Sequence, residues 1–98
     1  MSTLHLVRQS AFVTSDLAQC LSMVNKNDTI ILMDDGCYNI NHTLLRNFLN
    51  SGDSCIDINI INTHAKARAI KAIEKINRIE IVDIVKLTFI HTKVITWQ

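Results

Sequence analysis

The chain has no proline and only two glycines, Gly36 and Gly52, among its 98 residues. No proline-, glycine- or serine-rich stretch marks a linker, and no repeat or low-complexity tract is present, so residues 1–98 read as one domain. A chain of this length builds one core that is marginal without partners. Uncharged apolar runs such as residues 30–33 are far too short to span a bilayer. The start lacks the basic end and long apolar segment of a secretory signal. The expectation is a cytoplasmic protein with no membrane partner. Basic and acidic residues nearly balance, at a net charge of +1, so global electrostatics does not argue for nucleic acid or membrane. Three cysteines, Cys20, Cys37 and Cys55, lack paired spacing, which excludes a disulfide framework and fits reduced thiols. No CxxC or His/Cys cluster has zinc spacing, so no metal is expected. GxGxxG and GxxxxGK[ST] are both missing; nothing cradles a phosphate, and no cofactor is expected.

What the chain does have is apolar residues, 48% of the total against 19% charged. That excludes disorder and points to apolar surface buried against another subunit. The most informative stretch is residues 29–38, T-I-I-L-M-D-D-G-C-Y. Its apolar half reads as a strand buried on both faces, because a half-buried strand would alternate. Its acidic-glycine half reads as a loop at the strand's carboxyl end, where ligands gather in open α/β sheets.

Strand and helix patterns alternate along the rest. Residues 3–7 read as a first strand. A helix follows, capped by Thr14 or Ser15, with Leu17, Cys20, Leu21 and Val24 on one stripe. After the loop at 34–41, Asn41 is a candidate cap for a helix carrying Leu44, Leu45, Phe48 and Leu49. Gly52 suits that helix's left-handed end. Residues 55–61 read as a strand, 65–76 as a helix and 79–82 as a short strand. A helix capped by Asp83 runs to residue 90, and 94–97 could form a last strand. This alternation predicts an α/β fold, a mostly parallel sheet of four or five strands between helix layers.

Each residue that could carry chemistry has a plainer reading beside it. Asp34 and Asp35 could bind Mg²⁺, but neighbours on extended backbone point to opposite faces and would need a third ligand; Asp-Gly is also ordinary turn chemistry. Cys37 could be an accessible loop thiol, yet the adjacent carboxylates would raise its pKa. Cys20 lies on the apolar stripe, where a small core hydrophobe is the default. His5, His42, His64 and His91 are scattered and read as hydrogen-bonded structural residues. Lys66, Arg68, Lys71 and Lys75 could touch RNA or a partner; a solvated helix face is the plainer reading, and no aromatic residues interleave for base stacking. Trp97, near the end, suits an interface anchor.

Three segments resemble the TusB/DsrH family of small sulfur-relay proteins. Leu4-His5-Leu6-Val7 followed by Ser10-Ala11-Phe12 is similar to that family's L-H-x-x-x-x-S-P-F opening, with Ala11 where proline is usual. Ile31 to Tyr38 is similar to its L-L-x-x-D-G-x-Y element. Val82 to Thr88, with His91 and Trp97 beyond, is similar to its D-x-x-F-V-x-L-T…W ending, and Ala67-Arg68-Ala69 stands where members often have A-R-G. The resemblance implies a DsrE/DsrF-like fold and a heterohexamer with TusC-like and TusD-like subunits, relaying persulfide sulfur toward 2-thiolation of the tRNA wobble uridine. It places the sulfur-accepting cysteine in the loop after the third strand of the TusD-like subunit. Here that stretch, Ile61-Asn62-Thr63-His64, has none. The chain then reads as a non-acceptor, non-catalytic subunit with no small-molecule substrate of its own. Asp35, Gly36 and Tyr38 become loop residues that shape the turn or face a partner. Some DsrH-like members carry a cysteine where Cys20 stands, which makes Cys20 the first candidate thiol. The alternative is a stand-alone thiol or persulfide sulfurtransferase using Cys20 or Cys37.

Overall fold

The computed structural model describes residues 2–50, 56–71 and 76–97. Five strands, β1 (Thr3–Val7), β2 (Thr29–Leu32), β3 (Asp57–Ile61), β4 (Asn77–Ile79) and β5 (Lys93–Trp97), form one sheet in the order β4-β3-β2-β1-β5. Every pairing is parallel. The expected α/β architecture is therefore present, with all five strands parallel.

The order follows from crossover handedness. From β1 to β4 the chain steps in one direction, so right-handed connections place their helices on one face. These are α1 (Asp16–Met23), α2 (Thr43–Asn50) and α3 (Asn62–Ala67), with a 3-10 helix over Asp34–Asn41. From β4 the chain returns across the whole sheet to β5, so α4 (Ile81–Ile90) lies on the other face. The first face holds the larger core, including Val7, Leu17, Cys20, Ile30, Leu32, Ile40, Leu45, Ile58 and Ile60. The second holds a smaller one, among the described residues the buried Leu4, Ile31 and Ile61 with Ile84 and Leu87 of α4 packed on them. Strand β2 is central and buried at every position, as its unbroken apolar run predicts.

Local details differ from expectation where tertiary contacts override pattern. Residues 34–41 wind into a 3-10 helix rather than an open loop. Helix α1 carries the expected stripe, but Ser15 makes no side-chain cap; Thr14 Oγ1 instead meets Asp16 at 3.1 Å. His42, not Asn41, caps α2, its Nδ1 accepting the Leu44 N–H at 3.1 Å. Helix α3 begins at Asn62 and ends at Ala67, far short of residue 76. Strand β4 ends at Ile79, and the run expected as strand 79–82 instead opens α4. There Glu80 and Asp83 form a reciprocal capping box, the Glu80 N–H reaching Asp83 Oδ2 at 3.0 Å; two otherwise orphaned donors are satisfied. Gly52, Cys55 and Lys75 lie outside the described residues.

Two clasps tie the edge strand β5 into the sheet. His5 is buried on β1, 2% exposed. Its Nδ1 accepts the Trp97 indole N–H at 3.1 Å, and its Nε2 meets Asp28 Oδ2 at 3.0 Å. An accepting Nδ1 leaves the proton on Nε2, so the ring is neutral and donates to Asp28. Asp28 also accepts the backbone N–H groups of Thr3 and Asn25, both at 2.9 Å. Burial alone would raise the Asp28 carboxyl; the hydrogen bonds from Asn25, His5 and Thr3 outweigh it and hold the pKa below the ordinary value. In the second clasp His91 bridges Ser2 Oγ at 2.8 Å and Thr29 Oγ1 at 2.9 Å.

Candidate functional site

The carboxyl ends of β1, β2 and β3 bring together several of the residues singled out in the sequence. At the end of β2 the Met33 N–H donates to Val7 O at 3.0 Å, and the Gly36 N–H reaches Arg8 O at 3.1 Å and Met33 O at 2.9 Å. A Cβ on Gly36 would lie 2.1 Å from Val7 O, so only glycine fits this approach. Asp34 has a left-handed φ of 50°. Its carboxylate takes Arg8 Nε at 3.0 Å, and its N–H donates to His64 Nδ1 at 3.0 Å. Arg68 Nε reaches Asp35 Oδ1 at 3.2 Å, and its Nη1 donates to His64 O at 3.3 Å. Two guanidiniums thus offset two carboxylates, and His64, accepting at Nδ1, is neutral with its proton on Nε2.

This arrangement shapes the loops more than it activates a group. The two Arg–Asp pairs are substantially exposed, where such pairs contribute about 0.2–1 kcal/mol each. Among the described residues no cluster of three or more His, Cys, Asp or Glu side chains could hold a metal ion. Asp34 and Asp35 turn to different arginines rather than to one shared point.

The two described thiols are poorly placed for nucleophilic work. Cys37 is fully buried on the inner side of the 3-10 helix, its Sγ 3.7 Å from Leu32 O. It is not the accessible loop thiol its position beside Gly36 suggested. Burial pushes it to about 11; Arg68 pulls it down, and Asp34 and Asp35 push it up. Cys20 is fully buried on α1 and is pushed to about 12, by burial first and by Asp28 second. A reactive thiol needs a lowered pKa and access; neither has them.

The remaining candidates scatter. Tyr38 is exposed at the rim of the 3-10 helix. Trp97 faces inward, packed against the larger core and stacked near His5 with ring centroids 6.2 Å apart. It serves as an internal clasp of β5 rather than an anchor held out for a partner. The continuous basic helix face does not form: α3 ends at Ala67 and Ala69 has a left-handed φ of 54°. Lys66 and Lys71 stay exposed while Arg68 is tied to Asp35. Asn39 drew no notice in the sequence. Fully buried, it accepts the Ala11 N–H at 2.7 Å and donates to Gln9 O at 3.1 Å, which pins the segment after β1. Only the contact across 28 residues reveals it.

The family model described as DsrH like protein matches residues 9–94. The chain belongs to the DsrH-like family. That membership supports a sulfur-relay subunit. No curated protein matches the chain. Among solved structures, the YchN protein from E. coli is similar at TM-score 0.73, 15% identical, covering 98% of the DsrH-like chain and 99% of its own. Protein Tm0979 from Thermotoga maritima is similar at TM-score 0.63, 16% identical, covering 89% and 91%. At such identities these likenesses bear on the fold alone, and they agree with the parallel sheet. No helix among the described residues is long and apolar enough to cross a membrane.

Proposed function

We propose that this chain, as one domain over residues 1–98, is a non-acceptor, architectural subunit of a cytoplasmic sulfur-relay complex serving 2-thiolation of the tRNA wobble uridine, with TusC-like and TusD-like chains as partners. The observation that carries the reading is helix α4. Ile84 and Leu87 face the sheet, yet no residue of the helix is buried. Its outer side carries Ile81, Val82, Val85, Phe89 and Ile90, with Phe89 85% exposed. An outward side this apolar is out of place on a solvated helix, and contiguous exposed apolar surface marks an interaction site. Covering these five side chains contributes on the order of 5–10 kcal/mol of transfer free energy. The inert character of Cys20 and Cys37 supports an assignment of sulfur acceptance to a partner.

The test is native mass spectrometry of the assembly captured from the protein's own cell. Two homologous small proteins are expected in fixed stoichiometry, and the chain expressed alone is expected to aggregate or self-associate. A well-behaved monomer with no such partners refutes the reading.

A further inference from the structure

The second face of the sheet, apolar at Leu4, Ile31 and Ile61, changes character toward β4. Register places Thr29 beside Asp57 and Asn59 beside Asn77. These four side chains form a polar floor under the diagonal of α4. Asp83 and Lys86 of α4 complete the walls of a pocket of about 280 Å³. Asn59 is 7% exposed, in the middle of β3. Its amide has no hydrogen-bond partner among the described residues, although none of their fully buried polar side-chain atoms lacks one; its polar atoms therefore open onto the pocket. Asp57 and Lys86 make no ion pair among the described residues either. An amide here, mid-strand in a fold that could hold valine or isoleucine, gives up apolar burial and turns its donors and acceptor to the pocket.

We propose that this pocket binds a small zwitterion in the size class of a free α-amino acid. The lining selects the class. Two carboxylates, Asp57 and Asp83, oppose a simple anion and suit an ammonium group. Lys86 opposes a simple cation and suits a carboxylate. A volume of about 280 Å³ lies at the small end of the roughly 300–1,000 Å³ range of small-ligand pockets, which suits a small molecule. Asn59 and Asn77 supply both donors and acceptors between the charged ends. The site lies on the opposite face of the sheet from both buried thiols and is independent of the proposed sulfur-relay role.

The experiment is a ¹⁵N NMR titration of the assembly carrying the ¹⁵N-labelled chain, repeated on the full chain alone with Phe89→Asp to keep it dispersed. The probes are L-alanine, L-cysteine and L-glutamine, with ethylamine and propionate as half-molecules. Saturable shifts of the Asn59 and Asn77 side-chain amides are expected with at least one amino acid, and binding about tenfold or more weaker with either half-molecule. Lys86→Met is expected to weaken binding about tenfold, and Asn59→Leu to abolish it in a protein that still melts cooperatively. The proposal is overturned if no amino acid moves these amides, if one half-molecule binds as well as the whole, or if both variants bind unchanged. Binding by the chain alone that vanishes in the assembly also overturns it, because the pocket then belongs to a subunit contact.

Discussion

Replacing Gly36 with alanine tests the claim that the D-D-G element is a packing device. The new Cβ would lie 2.1 Å from Val7 O and 2.9 Å from Val7 C. Carbon–oxygen contacts need about 3.3 Å, so backbone must move by roughly 1 Å against backbone. That movement breaks or stretches the Met33–Val7 and Gly36–Arg8 hydrogen bonds, now 3.0 and 3.1 Å. Each contributes about 0.5–1.5 kcal/mol, and overpacking at a closed site adds about 1–3 kcal/mol. The sum, roughly 2–6 kcal/mol, is a large share of the 5–15 kcal/mol typical of a domain. Urea denaturation followed by circular dichroism should show a midpoint about 1 M or more below that of the parent. Asp35→Ala, next door but exposed, should change stability by less than about 1 kcal/mol. A Gly36→Ala protein within about 0.5 kcal/mol of the parent would refute the reasoning, because the backbone would then have room that the structure denies it.

Other expectations rest on the clasps, the thiols and α4. Asn39→Ala leaves the Ala11 N–H and Gln9 O without their partner and should cost about 2–4 kcal/mol in the same denaturation assay; a loss below about 0.5 kcal/mol would show that neither group depends on it. The Asp28 carboxyl has a folded pKa below its unfolded value of about 3.9, so the unfolded state binds more protons in that window and stability rises with pH. Its contribution is complete above that unfolded value and is lost as pH falls through the folded one; Asp28→Asn, less stable at neutral pH, should show a shallower acid loss between about pH 5 and 2, and parallel curves would count against the clasp. With Cys20 at about 12, its thiolate fraction at pH 8 is about 10⁻⁴, so iodoacetamide should label it in urea and hardly at all in the folded protein, read by peptide mass spectrometry; equal rates would overturn the burial. Phe89→Asp should abolish partner association in a pull-down while leaving the melting temperature within a few degrees, because Phe89 supports little within its own chain.

The alternation of strand and helix patterns was legible because periodicity is local: residues 30–33 had to be buried on both faces, and Leu17, Cys20, Leu21 and Val24 had to share a stripe. The D-D-G-C-Y step was legible as a special place but not as to its role. Only the approach of Gly36 to Val7, and the capture of Asp34 and Asp35 by Arg8 and Arg68, identify it as a knot joining three loops. The run at 79–82 misled because β-branched residues favour strands by pattern, whereas the Glu80–Asp83 box makes a helix start there. Trp97 misled because a position near the chain end says nothing of a strand that pairs with β1 and hands its indole N–H to His5, 92 residues away.

By itself the sequence determined the fold class, the buried central strand and the kinship, since these rest on composition, spacing and short motifs. The tertiary structure decided which face each helix covers, which thiols are silenced, where Asn39 and Asp28 act, and that α4 keeps an apolar side outward above a polar pocket. The reason is physical. Periodicity is written between neighbours, but burial, hydrogen-bond partners and charge pairing depend on strand order and register, which bring together residues 23 to 92 positions apart.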